Sequence, residues 1–285
     1  MITQAIKEKI WSEVQRRREN FAGSDSRFAV TLGISASQYS RLRNGERERV
    51  IGDDQWIRIG RKLDVGFGEQ NWKAARTPAY SYIETQLARC QQNSISRMLV
   101  DRTGIGKTFT AQCYAKTHKN AVYVDCSQVK TKTLLVRFIA EEFGINNKGT
   151  YHEVYADLVY YLQILEKPLI ILDEAGDLQQ AAFNELKALY NKTKGCCGFY
   201  MMGADGLKRK IERGRKREEV GYAENFDRYG SRYQKATPDD PKAFEVFFAN
   251  CASAICKVNA PNIPFQTLLP KLNFSLRRIE EEIRK

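Results

Sequence analysis

The sequence predicts an α/β fold with a parallel sheet, preceded by an all-helical domain and followed by a small helical lid. Between residues 80 and 238, short apolar runs alternate with longer stretches of helical periodicity, as in a parallel sheet covered on both faces. Before residue 70 and after residue 239 the apolar positions keep helical spacing only. We therefore divide the chain into a helical domain (1–70), a linker (71–79), an α/β core (80–238) and a lid (239–285).

The composition favours a cytoplasmic protein that binds a polyanion. The 285 residues carry a net charge of +12, which suggests nucleic acid before a membrane surface as the partner. We expect no membrane span, because no apolar run approaches the required length, and no signal peptide. The seven cysteines contain no CxxC pair, so we expect reduced, mostly buried thiols. The two histidines are too few for a metal site.

A phosphate-binding loop is predicted between an apolar strand and a helix. The strand ends at Val100, a loop with two glycines follows, and Lys107 and Thr108 precede a helical run. This order is the P-loop pattern, in which glycine N–H groups and a helix N-terminus surround an anion. Lys107 is expected to reach the outer phosphates of ATP and Thr108 to ligate Mg²⁺. The predicted nucleotide contacts are Thr103, Gly104, Ile105, Gly106, Lys107, Thr108 and Phe109.

One position departs from that pattern, because Asp101 stands where the motif has its first glycine. A carboxylate beside phosphates is unfavourable, so we expect the Asp101 side chain to point away from the nucleotide. The alternative is a decayed site.

A second apolar strand, residues 168–172, ends in Asp173 and Glu174. This is a Walker B pattern: Asp173 would hold Mg²⁺ through its water, and Glu174 would orient the attacking water at the γ-phosphate. A buried strand with an acidic turn is the alternative, and the preceding P-loop disfavours it.

Two basic segments follow predicted strands of the core. Lys130, Thr131 and Lys132 come after the strand at 121–125. The stretch 208–217, after the strand at 199–202, is flanked or interrupted by glycines, and we interpret it as a phosphate-facing loop rather than an ordinary solvated face. Its candidate DNA contacts are Lys208, Arg209, Lys210, Arg213 and Arg215.

The N-terminal domain is predicted to contain a helix-turn-helix, tethered to the core by the linker. Gly33 makes the turn, Ser35 caps the next helix, and that helix exposes Gln38 and Arg41 toward a DNA major groove. The alternative is a small protein-docking domain.

Two further positions bear on the nucleotide site. Tyr80 is expected to stack on adenine or, equally, to pack the domain edge. Arg277 lies off the buried stripe of the last helix and is therefore free to act.

Residues 78–285 resemble the AAA+ ATPases, and most closely the DNA-transposition regulators that include the phage Mu B protein, TnsC and IstB. The P-loop, the Walker B strand, the short lid, the basic profile and the preceding helix-turn-helix carry this resemblance. It implies a sensor 1 position at Asp205, although Asn or Thr is usual there. It also implies an arginine finger at Arg232, with Arg228 as rival, and a sensor 2 arginine at Arg277.

The same resemblance implies partners. It suggests ATP-dependent assembly of a ring or helical filament on duplex DNA with little sequence preference, in a bacterial cytoplasm, and handover of target DNA to a DDE-type transposase. A helicase loader or initiator-like ATPase shares the core features and stays open. So does a transcription regulator switched by nucleotide, although Glu174 argues against it because a switch needs no hydrolytic base.

Overall fold

The structure, a computed structural model, describes residues 2–21, 23–63, 65 and 72–283. Positions 66–70 of the predicted helical domain and position 71 of the predicted linker lie outside the described residues, as do positions 284 and 285 of the lid. Within the described part of the chain, no helix has the length and apolar character needed to cross a bilayer.

The α/β core is built on a parallel sheet, as predicted. Its strands are β1 (Ser96–Val100), β2 (Ala121–Asp125), β3 (Leu169–Asp173), β4 (Gly198–Gly203) and β5 (Tyr233–Gln234). They lie in the order β2-β3-β4-β1-β5, and every described pairing is parallel. The fifth strand was not predicted, because two residues are too few to show a pattern.

Helices cover both faces of this sheet and bury alternate strand positions. Met98 and Ile170 belong to one apolar cluster, and Leu99 and Ile171 belong to the cluster on the other face. The period of two along a strand separates these residues. The helices of the core are α5 (Pro78–Asn93), α6 (Lys107–Thr117), α7 (Lys132–Glu142), α8 (Tyr151–Ile164), α9 (Gln180–Lys192), α10 (Asp205–Lys216) and α11 (Tyr222–Arg228).

The basic stretch after β4 is a helix, so the predicted loop is wrong. Residues 208–216 lie within α10, whose Leu207 and Ile211 are buried against the sheet. Gly214 does not break this helix. A Cβ atom there would lie 2.3 Å from the Tyr222 ring, so the glycine allows α11 to pack closely.

The N-terminal domain consists of α1 (Gln4–Glu19), α2 (Asp25–Thr31), α3 (Ala36–Arg43) and α4 (Asp53–Lys62) around its own apolar core. Gly33 turns the chain with a φ of +69°, and Ser35 caps α3 as predicted.

This domain contacts the core directly as well as being connected to it by the chain. Glu142 at the end of α7 pairs with Arg17 at 2.6 Å and with Lys62 at 2.8 Å. The guanidinium of Arg27 lies 4.1 Å from the Tyr161 ring centroid. These contacts join residues far apart in sequence, so no local pattern could have indicated them.

The lid contains α12 (Pro241–Asn259), α13 (Phe265–Leu272) and α14 (Arg277–Ile283). Its apolar cluster includes Ala79 of α5, and Trp72 packs against it. The backbone N–H of Lys73 donates to Asn259 Oδ1 over 2.7 Å, so the described part of the predicted linker runs along the lid.

All seven cysteines are free thiols, and five of them are buried, as expected. Among the described residues, no cluster of three or more His, Cys, Asp or Glu side chains could hold a metal ion.

Candidate active site

The loop between β1 and α6 has the backbone that an anion cradle requires. Gly104 and Gly106 adopt φ values of +75° and +90°, a left-handed region that residues with a Cβ rarely adopt. At Gly104 a Cβ would also lie 2.5 Å from Ser275 Oγ in the lid. The loop then runs directly into the N-terminus of α6, where unpaired N–H groups and the helix dipole favour negative charge.

Lys107 is the first residue of α6 and its side chain is buried within the loop. Its Nζ donates to the carbonyl oxygens of Asp101 at 2.9 Å and Arg102 at 2.7 Å. Burial lowers the pKa of Lys107, while the nearby carboxylates of Asp101 and Asp173 oppose this shift. The ammonium is therefore held at the centre of the loop by neutral acceptors.

The Asp101 carboxylate points away from the loop interior, as expected. It is buried and accepts hydrogen bonds from the backbone N–H groups of Ala236 and Thr237 at 2.7 and 2.9 Å. The Thr237 hydroxyl donates to it at 2.6 Å, and the Arg102 N–H at 2.7 Å. Its charge is thus compensated outside the cradle, so this departure from the motif is compatible with a nucleotide site.

The Walker B strand brings Asp173 to Thr108. The Thr108 hydroxyl donates to Asp173 Oδ2 over 2.6 Å, and the Tyr123 hydroxyl donates to the same oxygen over 3.1 Å. A hydroxyl and a carboxylate in contact form an oxygen donor set that suits Mg²⁺. Sequence reasoning missed Tyr123, although its place on β2 beside the Walker B strand was a usable signal.

Glu174 follows β3 in a left-handed backbone conformation with a φ of +48°. This strained turn directs the residue into the cavity beside the P-loop. Partial burial raises the pKa of Glu174, and the adjacent Asp173 charge adds to the shift. The predicted base therefore directly follows the predicted metal ligand, and its backbone N–H donates to Asp173 Oδ1 over 3.0 Å.

Lys107, Thr108 and Glu174 line a cavity of about 330 Å³, which lies in the range of small-molecule sites, and Asp173 adjoins it through its hydrogen bond with Thr108. The lid closes it with Leu276 and Arg277, and α5 contributes Tyr80. Trp72, which we did not predict, also lines it, so three aromatic residues, Trp72, Tyr80 and Phe109, border the space available to an adenine base. The predicted nucleotide contacts that line the cavity are Tyr80, Thr103, Gly104, Ile105, Gly106, Lys107, Thr108 and Phe109.

A larger cavity of about 750 Å³ lies between the N-terminal domain and the core. No glycine of the P-loop and neither Walker B carboxylate lines it. The larger of these two cavities is therefore not the one that holds the predicted catalytic residues. The two cavities share one residue, Gln112 of α6.

The other predicted catalytic residues do not line the nucleotide cavity. Asp205 begins α10 and lines a separate hollow together with Asp101 and Thr237. Arg228 donates from Nε to Asn191 Oδ1 over 2.9 Å. Arg232 is exposed, directly before β5. Neither of these arginines lines its own chain's cavity, so a role there requires a second copy of the chain.

The predicted DNA contacts differ in solvent exposure and in their hydrogen bonds within the chain. Lys130 and Lys132 are exposed at the start of α7, whereas Thr131 caps that helix. Of the predicted contacts in α10, those with exposed side chains are Lys208, Arg209, Arg213 and Arg215. Lys210 is half-buried and donates to the carbonyls of Gly176 and Leu178, so it also has a structural role.

The two helix-turn-helix candidates are also engaged within the domain. Gln38 accepts from the Ser35 N–H over 2.9 Å and forms the capping box of α3. Arg41 is exposed and pairs with Glu46 at 2.8 Å.

Comparison with known proteins agrees with this geometry. No curated protein matches the chain. Residues 96–211, from the start of β1 into α10, match the family model of an AAA domain. That segment contains the P-loop lysine and both Walker B carboxylates on an all-parallel sheet. This part of the chain is therefore similar to AAA domains, and its fold is that of an α/β P-loop NTPase.

Proposed function

We propose that the protein is an ATP-hydrolysing AAA+ ATPase that assembles on duplex DNA with little sequence preference and delivers this target DNA to a DDE-type transposase, which it activates. The observation that carries the ATPase part is that Lys107, Thr108 and Glu174 line one cavity and that Asp173 is hydrogen-bonded to Thr108. The DNA and transposase parts rest on the exposed basic surfaces and on the resemblance to transposition regulators.

Hydrolysis of ATP assigns a separate task to each of these side chains. Lys107 binds the outer phosphates, and Thr108 with Asp173 holds Mg²⁺, which supplies positive charge at the phosphates when bound. Glu174 is solvent-accessible in the cavity and orients a water for attack. Arg277 reaches the same cavity from the lid, so lid position and phosphate binding are linked.

Assembly is proposed because the finger arginines lie away from their own cavity. Phosphoryl transfer spreads charge over oxygens that Lys107 alone does not cover, and an arginine is the usual complement. Arg232 is exposed at the sheet edge and is available to the cavity of a neighbouring subunit. Turnover would then require contact between subunits.

Duplex DNA is proposed as the surface for assembly because basic side chains lie at the starts of two helices that pack into the same apolar cluster of the core. Lys130 and Lys132 lie where α7 begins, after β2, and Lys208 and Arg209 lie where α10 begins, after β4. The carboxyl ends of parallel strands meet at one edge of a sheet. Contacts from such side chains to phosphates supply affinity and carry no sequence information.

The test is electron microscopy of the protein with duplex DNA and a non-hydrolysable ATP analogue, paired with ATPase assays. We expect ordered rings or filaments only with both ligands, ATPase stimulation by duplexes of unrelated sequence, and loss of both in Lys107→Ala. Binding to one operator without hydrolysis would support the switched-regulator alternative. Stable binding to a replicative helicase, with no stimulation of strand transfer by a DDE transposase, would support the loader alternative.

A further inference from the structure

The carboxylate of Asp101 is bound almost entirely by one short segment of chain. Three of its four hydrogen-bond donors come from Ala236 and Thr237, 135 and 136 residues further along. That segment connects β5 to α12, and it therefore joins the sheet to the lid. A glycine at position 101, as the motif would have, offers no acceptor to these donors.

Strand β5 is short and lies at the edge of the sheet, where Gln234 Nε2 also donates to Gln86 Oε1 over 3.1 Å and the Tyr233 ring packs on the Phe226 ring. It has two residues, Tyr233 and Gln234, which pair with Met98 and Leu99 of β1. The Asp101 side chain continues this pairing beyond the end of both strands, because it takes the N–H groups of Ala236 and Thr237 where no backbone partner follows. Arg232 is the residue immediately before this strand.

The neighbouring residues of the P-loop contact the lid as well. The Arg102 guanidinium lies 4.2 Å from the ring centroid of Phe244 in α12. The carbonyl of Gly104 accepts from the N–H of Leu276 over 2.8 Å, at the start of the lid's last helix. Lys107 donates to the carbonyls of Asp101 and Arg102. A change in the direction of the Lys107 side chain would therefore act on the two residues that contact the segment before α12 and α12 itself.

We propose that Asp101 is a positioning residue: it fixes the β5–α12 segment to the P-loop and thereby presents Arg232 to the active site of the neighbouring subunit. This inference rests on the proposed assembly with a finger acting between subunits. It assigns to Asp101 no contact with ATP, and it explains why a carboxylate is compatible with the loop. If the inference holds, a change at Asp101 should weaken the action of Arg232 in the active site of the neighbouring subunit and should leave nucleotide binding unchanged.

Asp101→Asn keeps the size of the side chain but removes one acceptor oxygen and the charge. Thr237→Val removes only the hydroxyl donor and serves as a second, milder variant. Asp239→Asn is the matched control, because Asp239 lies on the same segment, is exposed and pairs with Lys235. Folding of each variant is checked by thermal unfolding, and its nucleotide affinity by titration with a fluorescent ATP analogue.

The first measurement is hydrogen exchange at the backbone amides of Ala236 and Thr237, which does not depend on activity. We expect protection in the native chain and in Asp239→Asn, and faster exchange in Asp101→Asn. Equal protection in Asp101→Asn would overturn the inference.

The second measurement mixes two variants, so that one subunit supplies the arginine finger and the other subunit supplies the active site in which the finger acts. Arg232→Ala subunits have a complete site without a finger, and Glu174→Gln subunits have a finger without a base. A mixture of the two should regain ATPase activity. Replacing the second partner by an Asp101→Asn/Glu174→Gln double variant should reduce the regained activity by about 10- to 100-fold, as expected for a misplaced catalytic group.

The outcomes of this mixing experiment distinguish the two proposals. If Glu174→Gln fails to rescue Arg232→Ala, the finger between subunits is wrong and the proposed assembly fails with it. If Glu174→Gln rescues and the double variant rescues equally well, the positioning role of Asp101 is wrong while the proposed function stands. An Asp101→Asn chain that loses affinity for the ATP analogue while still folded would also contradict the inference, because it would place Asp101 in nucleotide binding.

Discussion

The hydroxyl of Thr108 donates to Asp173 Oδ2 over 2.6 Å, although the two residues are 65 positions apart in the chain. Thr108 lies in the first turn of α6 and Asp173 ends β3, so the parallel sheet is what brings them together. Tyr123 of β2 donates to the same oxygen and fixes the carboxylate from the other side. The predicted pair of metal ligands is therefore already arranged by protein contacts alone.

The first prediction is that Asp173→Asn reduces Mg²⁺-dependent ATPase activity by roughly 100-fold, because an amide oxygen is a weaker ligand for Mg²⁺ than a carboxylate. A magnesium titration of the ATPase rate measures it. Asp125→Asn is the matched control, since Asp125 ends the neighbouring strand and pairs in register with Asp173. An equal loss in the two variants would count against the assignment of Asp173.

Glu174→Gln is expected to bind ATP normally and to hydrolyse it about 10²- to 10⁴-fold more slowly, because the group that orients and deprotonates water is removed. Single-turnover ATPase kinetics measure this, and the variant should stay longer on DNA. Asp177→Asn changes an exposed carboxylate in the following turn and should leave the rate unchanged. A wild-type rate in Glu174→Gln would mean that another residue is the base.

Arg232→Ala should retain affinity for ATP and lower DNA-stimulated turnover, since Arg232 does not line its own cavity. The comparison is Arg228→Ala, which breaks a hydrogen bond to Asn191 within the same chain. Titration with an ATP analogue and steady-state ATPase assays with duplex DNA separate binding from turnover. If only Arg228→Ala lowers turnover, the finger is Arg228.

Lys130→Ala combined with Lys132→Ala should weaken binding to all duplexes alike, and the slope of log K against log salt should shrink by about 1 for each phosphate that the protein no longer neutralises. The matched control is Lys119→Ala with Lys167→Ala, which removes the same charge near the amino ends of β2 and β3, away from the carboxyl ends of the strands. Fluorescence anisotropy over a range of salt concentrations measures both.

Substituting Gln38 and Arg41 in the N-terminal domain should weaken duplex binding less than the 130/132 variant does. A native salt slope in the 130/132 variant, with DNA binding abolished in the Gln38/Arg41 variant, would move the site to the N-terminal domain.

The docking of the N-terminal domain should depend on the charge of Glu142. Burial alone would raise the pKa of this carboxyl, but the charges of Lys62 and Arg17 outweigh burial and lower it below its ordinary value of 4.5. A lowered folded pKa contributes stability that is present above the unfolded pKa and is lost as pH falls through the folded value. This contribution should therefore be complete at neutral pH and fade below about pH 4.5.

Glu142→Gln should accordingly lower the free energy of unfolding at pH 7 by about 1–3 kcal/mol, because Lys62 and Arg17 lose a charged acceptor. The difference from the native chain should shrink as the pH falls below 4.5. Urea unfolding at several pH values measures both, with the exposed Glu19→Gln as control. A pH-independent difference would assign the effect to packing and not to charge.

Much of the core and of the candidate site could be predicted because the signals are local. The left-handed turns at Gly104 and Gly106, the buried run of β3 and the position of Glu174 after it are properties of neighbouring residues. The basic stretch 208–216 was misjudged for the same reason. Its glycines suggested a loop, whereas burial of Leu207 and Ile211 against the sheet and of Gly214 against Tyr222 makes a helix favourable.

The sequence by itself determined the phosphate-binding loop, the acidic end of β3, the parallel α/β core and the separate helical domain, since each follows from backbone preference and apolar periodicity within a few residues. Only the tertiary structure decided where the Asp101 carboxylate points, that Tyr123 and Trp72 adjoin the site, and that Glu142 joins the two domains. Those contacts connect residues that lie far apart in sequence. The stabilisation from their ion pairs and hydrogen bonds depends on the folded geometry, so it leaves no local pattern in the sequence.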